Sequence, residues 1–304
     1  MLRMRNEIMN RLVSGYRSQS AMEYLMTYGW AILIIAVVLG VLFQLGVFSG
    51  SALTPKAAPG SCQVIRLGGQ TSIEGECQGQ LPQYVASFNG VNSGITIPGL
   101  TNFNINTQSY TMCAWADVPA YVSNSYYGPV LVAIHYASSG LTAYTQNPTG
   151  LNVLGWLDGA FSLVQGSATW NAWHYYCVAY AGQGSTSRTV YIDANSLGVI
   201  SSGTAGAYTG YSQIGNEGAT CCGDTAIPPY YESNVQIYNT TLSTNDIHAL
   251  YLEGIGGAPV KIQNLIGWWP LNGNLNDYSG NNYNGQLWAG VSFDGNWSSG
   301  YTPP

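Results

Sequence analysis

The spacing of apolar and polar positions along this chain changes character once, near residue 49. From Trp30 to Phe48 nineteen residues run with only Gln44 strongly polar, and no charge occurs between Glu23 and Lys56. The run has no polar stripe, so it predicts a helix apolar on every side. Its length approaches the roughly 20 residues that carry a helix across a hydrocarbon core about 30 Å thick. Ala31, Ala36, Gly40 and Gly46 sit among Ile32, Leu33, Ile34, Ile35, Val37, Val38 and Leu39 and permit close approach of neighbouring helices. Lipid and a bundle of identical copies suit such a helix equally.

Beyond it, Ser49 to Ser61 reads S-G-S-A-L-T-P-K-A-A-P-G-S, a small-residue linker. From residue 62 the period falls to two: aromatic and β-branched runs alternate with polar residues and are cut every 8 to 12 residues by Gly, Asn, Pro or Ser. Between Ser109 and Val118, for example, Tyr110, Met112, Ala114, Ala116 and Val118 share one strand face. The segments 173–181 and 188–193 read as a strand pair. One helix is expected after Ser243, which can cap S-T-N-D-I-H-A-L-Y-L with Asp246 three residues on and Ile247, Leu250 and Tyr251 on one face. The fold class expected is a long N-terminal α-helix plus an all-β head, the head a two-sheet antiparallel jelly-roll sandwich.

The residues before the apolar run change the picture. Arg3, Arg5, Arg11 and Arg17 face the single acid Glu7, a bias that keeps the N-terminus cytoplasmic. A secretory signal is cut after its apolar segment, but here the small residue Ser18 follows Arg17 and precedes that segment. Arg17-Ser18, then Q-S-A-M-E-Y-L (19–25) and a long apolar run, resembles the class III signal peptide of archaeal type IV pilins. The resemblance implies a prepilin peptidase cutting between Ser18 and Gln19, with Glu23 as the fifth mature residue. It also implies a membrane-held precursor, pilus assembly machinery, and a homo-oligomeric helical filament at the cell surface, built after release from the cytoplasmic membrane. In such filaments Glu23 is satisfied by a neighbouring subunit's N-terminus; the plainer reading is that it marks the helix start in the headgroup region. The organisation expected is therefore a leader over 1–18, a transmembrane or filament-core helix over 19–48, a linker over 49–61 and a head over 62–304.

Charge narrows the partners. The full chain carries −6, and loss of residues 1–18 leaves four basic and thirteen acidic residues, a charge of about −9. Lys56, Arg66, Arg188 and Lys261 cannot make a basic patch, which excludes nucleic acid as a partner.

The head's own motifs are Y-V-A-S-F-N-G (84–90), Y-T-M-C-A-W (110–115), W-H-Y-Y-C-V-A-Y (173–180), V-Y-I-D (190–193), Q-I-G-N (213–216) and V-Q-I-Y-N-T-T-L-S (235–243). In this order they resemble the laminin-G-like or concanavalin A-like jelly rolls. The resemblance implies surface glycans as ligands and calcium at loop ends; the weak candidates are Asp193, Asn216 and Asp277, with Asn195, Glu217 and Asp224 beside them. The ordinary turn preference of Asn and Asp accounts for each of these as well. Residues 267–285 look like the opening of such a module placed at the end, and S-F-D-G (292–295) echoes S-F-N-G (87–90). A circularly permuted sandwich is expected over a truncated second module, which would leave Trp268, Trp269 and Trp288 uncovered.

Six cysteines, Cys62, Cys77, Cys113, Cys177, Cys221 and Cys222, follow the apolar run, and an even count outside the cytoplasm indicates disulfides. Fifteen connectivities are open; the set expected is Cys62–Cys77, Cys113–Cys177 across two strands, and Cys221–Cys222. No C-x-x-C suggests zinc. Asn239 and Asn296 stand in glycosylation sequons. Tyr126, Tyr127, Tyr230 and Tyr231 can stack on sugars or make subunit contacts. No G-x-S-x-G, H-E-x-x-H or phosphate loop is present, His135, His174 and His248 are scattered, and no paired-carboxylate strand motif occurs. No enzyme activity and no cofactor beyond calcium are expected. The function expected is a type IV pilus-like filament subunit with an outward lectin-like head; the alternative is a membrane-anchored carbohydrate-binding surface protein that does not polymerise.

Overall fold

Strand Tyr110–Asp117 shows how the head is built. Tyr110, Met112, Ala114 and Ala116 point into one buried cluster, while Cys113 and Trp115 point into another on the opposite face. A strand buried on both faces needs a layer on each side, and the chain supplies a second sheet on one and a helix with the C-terminal segment on the other.

The structure is a computed structural model. It describes Met22, Tyr24, residues 26–42 and Gln44, and residues 56–304 apart from 78–79, 91–92, 102, 104–107, 120–128, 135–138, 145–150, 158–159, 183–184, 186, 202–211 and 217–228. Two units separate, Met1–Thr54 and Pro55–Pro304.

In the first unit, residues 26–42 form an unbroken helix. This corrects the expected fold class: among the described residues the long N-terminal helix over 19–48 is not found, and no helix there is long and apolar enough to cross a membrane. Apolar composition set the expected length, but it reports transfer from water and not how far a helical hydrogen-bond ladder extends. The chain is in the main a β sandwich.

The second unit contains nineteen strands: β1 (Lys56–Ala57), β2 (Cys62–Leu67), β3 (Gln70–Gly75), β4 (Leu81–Pro82), β5 (Val85–Phe88), β6 (Ser93–Ile97), β7 (Tyr110–Asp117), β8 (Val130–Ile134), β9 (Ser139–Tyr144), β10 (Leu151–Leu157), β11 (Ala160–Ala168), β12 (Trp173–Tyr180), β13 (Ser187–Ile192), β14 (Asn195–Ser201), β15 (Ser212–Asn216), β16 (Tyr230–Tyr238), β17 (Leu265–Trp269), β18 (Gln286–Ala289) and β19 (Val291–Asp294). One sheet runs β11-β10-β9-β8-β15-β6-β18. The other runs β14-β13-β12-β7-β16-β5-β19, with β17 also on β16. The C-terminal strands complete both: β18 pairs with β6, β19 with β5 and β17 with β16, all antiparallel. Trp268 and Trp269 are buried as a result, whereas Leu287 and Trp288 stay exposed on the edge strand β18.

Between the sheets lie Phe88, Ile95, Met112, Val132, Ile214 and Trp269. Outside the second sheet, Trp115, Tyr175, Trp268 and Trp297 pack beneath helix α1 (Thr244–Glu253), which contributes Ile247 and Leu250. Ser243 caps α1 by accepting the Asp246 N–H, and Asp246 accepts the Ser243 N–H in return. Two disulfides brace the head. Cys62–Cys77 closes the β2–β3 hairpin, and Cys113–Cys177 joins directly opposed positions of β7 and β12. Disulfides of this kind belong to an extracytoplasmic, oxidising compartment.

Candidate functional site

A single bulge decides which side chains of β16 face where. Val235 and Ile237 face the inter-sheet core, so strict alternation would turn Glu232 outward and Tyr231 inward. Instead the register with β7 shifts between Ser233 and Gln236, and Asn234 takes φ of 51°. The extra residue inverts the faces before it, so Tyr230 and Glu232 point inward while Tyr231 packs toward the outer cluster.

The outer surface at this end of the sheet carries an aromatic and acidic group. Asp117 ends β7, with Tyr231 of β16 on one side and Trp173 of β12 on the other. The Trp173 and Tyr231 rings lie 6.4 Å apart and near-parallel. Trp173 is fixed by Trp297, whose ring meets it edge-on at 5.7 Å and whose carbonyl accepts its indole N–H. Tyr231 donates its hydroxyl to Asp294 Oδ2 at 3.2 Å. Burial raises the Asp117 pKa to about 6, with His174 pulling the other way. Among the described residues no hydrogen-bond donor reaches the Asp117 carboxylate. Burial, then Asp294 and Asp117, raises the Tyr231 phenol pKa.

On the inward face, Glu232 is fully buried and, among the described residues, neither carboxylate oxygen has a hydrogen-bond partner. Burial pushes its pKa well above the ordinary value, because desolvation disfavours the charged form. Sequence reasoning missed Glu232, Asp117 and Asp294. The only local hint was the odd Y-Y-E-S-N stretch, where Asn tolerates the left-handed backbone that a bulge requires.

The residues singled out from sequence do not converge. Asp193 opens a two-residue turn between β13 and β14 with φ of 49°, followed by Ala194 at 61°, the positive-φ pair of a type I′ hairpin. Its Oδ1 accepts the Tyr175 N–H at 2.9 Å and its Oδ2 lies 2.6 Å from His174 Nδ1, so His174 is an orienting partner of this turn. Asp277 accepts the N–H groups of Trp268 and Ser279 on Oδ1 and the Ser279 hydroxyl and Tyr283 N–H on Oδ2. Asn216 ends β15 opposite Ser93. Among the described residues no three His, Cys, Asp or Glu side chains gather to hold a metal. Asn239 and Asn296 are exposed, the former accepting from Asn264 Nδ2. Ser18, Gln19, Glu23, Cys221, Cys222, Glu217, Asp224, His135, Tyr126 and Tyr127 lie outside the described residues.

No protein-family model matches the sequence, and no curated protein matches it. Solved structures do resemble the chain. A candidate carbohydrate-binding protein from Bacteroides ovatus is 14% identical over 75% of this chain and 64% of its own, with a TM-score of 0.49. A heptameric SAP-like pentraxin from Limulus polyphemus is 12% identical over 79% and 92%, with a TM-score of 0.42. A Trypanosoma rangeli sialidase is 16% identical over 67% and 33%, with a TM-score of 0.43. This chain thus spans under two thirds of the first and a third of the last, and neither ligand nor activity passes to it from any of them.

Proposed function

We propose that this protein is a structural subunit of a cell-surface filament, assembled through its N-terminal apolar segment and displaying the disulfide-braced sandwich outward for adhesion. One observation carries the reading. In the helix over 26–42, Ile32, Leu33, Ile34 and Ile35 are 60%, 53%, 58% and 58% exposed within the chain. Four successive positions, each turned about 100° from the last, cover the whole helix circumference. A helix apolar all round is stable only when covered on every side. Identical copies packed around it supply that cover, with small residues such as Ala36 and Gly40 at the contacts.

The leader reading supports the same conclusion: cleavage between Ser18 and Gln19 removes four arginines and frees the segment to pack with its copies, leaving Glu23 near the new N-terminus. The test is to shear filaments from the cell surface and sequence the subunit's N-terminus. The result expected is a helical polymer whose subunit begins at Gln19 or is blocked there as pyroglutamate. A surface protein that still begins at Met1 and forms no fibres would leave the second reading, an anchored carbohydrate-binding protein that does not polymerise.

A further inference from the structure

The registers of five strands place one row of side chains across the outer face of the second sheet. Ser292 of β19 lies opposite Ser87 of β5, Ser87 opposite Tyr231 of β16, Tyr231 opposite Asp117 of β7, and Asp117 opposite Trp173 of β12. Neighbouring strands are about 4.8 Å apart, so the row is roughly 19 Å long. Ser292 is exposed, and Ser87, Tyr231 and Asp117 are half-buried. Trp173 closes one end: it is 4% exposed, and its N–H goes to Gly300 O in place of a further strand. The other end opens at β19, the edge of the sheet.

From this geometry we infer that the row is a binding groove for the end of a neutral glycan chain, resting on the reading of the head as adhesive. The row combines two kinds of group that sugars need. Tyr231 offers a half-exposed ring face to the apolar side of a pyranose. Ser292 and Ser87 offer hydroxyls, and Asp117 offers a carboxylate to which no described residue donates; the hydroxyls of a sugar supply donors as short charge-assisted hydrogen bonds. Asp294 holds the Tyr231 hydroxyl and thereby fixes the ring before any ligand arrives, which lowers the entropy cost of binding. Residues 55–304 carry four basic and twelve acidic side chains, and two of the acids flank Tyr231, so an anionic glycan is repelled. The wall at Trp173 stops a chain from running through, which selects chain termini over chain interiors.

The test uses the full chain in a detergent without a sugar headgroup, in native gels cast with galactomannan, glucomannan, mixed-linkage β-glucan, dextran or the anionic alginate. Retardation by at least one neutral polysaccharide and none by alginate is expected. Asp117→Asn and Tyr231→Ala, each checked to melt near the parent temperature, weaken retardation at least tenfold, whereas Trp288→Ala on the exposed edge strand β18 leaves it unchanged. Should Tyr231→Ala disturb folding, Asp117→Asn alone decides, since it keeps the side-chain shape. Absence of retardation by every neutral polysaccharide overturns the inference, as does parent-like binding by Asp117→Asn. Filaments that ignore all the glycans leave the assembly reading standing, and glycan-binding monomers do the reverse.

Discussion

Glu232 lies directly opposite Ala116 on the neighbouring strand β7, both turned into the space between the two sheets. Ala86 stands opposite it on the other side, so the carboxyl group is flanked by methyl groups and, among the described residues, has no hydrogen-bond partner for either oxygen. An unpartnered buried polar group costs about 1–3 kcal/mol. Glu232→Leu, which fills similar volume, is therefore expected to stabilise the head by about that amount, read as a higher urea midpoint at unchanged slope. No gain would mean that ordered water already satisfies the group.

The same residue sets a pH dependence. Because burial raises its folded pKa above 4.5, the folded head keeps a proton that the unfolded chain gives up, and stability falls as pH rises from about 4.5 toward the folded value. Asp117 adds a loss of the same sign between 3.8 and about 6. Thermal melts from pH 4 upward should show this decline in the parent, and Glu232→Gln should retain only the Asp117 part of it.

Asp193 holds the β13–β14 turn by two contacts, one to His174 and one to the Tyr175 N–H. Asp193→Ala is expected to cost about 2–3 kcal/mol, since both contacts go and alanine dislikes positive φ. Asp193→Gly relieves the backbone but not the contacts, so its melting temperature should fall between those of the parent and the alanine variant.

Asp277 is the hub for three backbone N–H groups and one hydroxyl. Its loss in Asp277→Ala should cost about 3 kcal/mol. With all four contacts made inside the protein, millimolar calcium is expected to leave the melting temperature of the parent unchanged. A rise of several degrees would point instead to a calcium site built from other residues.

Cys113 and Cys177 are separated by 64 residues and Cys62 and Cys77 by 15. In the chain-entropy model the longer loop is worth about 4 kcal/mol and the shorter about 3. Replacing both cysteines of the first pair by alanine should therefore lower the denaturation midpoint more than replacing the second pair. Equal losses would show that the unfolded chain is compact enough to make loop length irrelevant.

Much of the head could be read one segment at a time. The alternation in Tyr110–Val118, the capping residues Ser243 and Asp246, and the strand pair from Trp173 to Ile192 depend on neighbours within a few positions, where dihedral preference and side-chain period act directly. The N-terminal segment was different: its apolar character was plain, but how far a helix extends is a matter of backbone hydrogen bonding that hydropathy does not count. Asp193 and Asp277, calcium candidates by sequence, spend their oxygens on backbone N–H groups and neighbouring side chains. Whether a carboxylate in a turn is free to bind depends on which backbone N–H groups the fold brings to it.

By itself the sequence determined the class of the head, its capped helix after Ser243, its even set of cysteines and its apolar leading segment, because each follows from local period or residue chemistry. Tertiary structure fixed the pairing by which the last strands complete the first sheets, as the permuted reading expected, since its register joins residues some 200 positions apart that no local period relates. It also decided that Glu232 is inside and Tyr231 outside. One extra residue at Ser233–Asn234 shifts a period of two by half its length, and every side chain before it changes face.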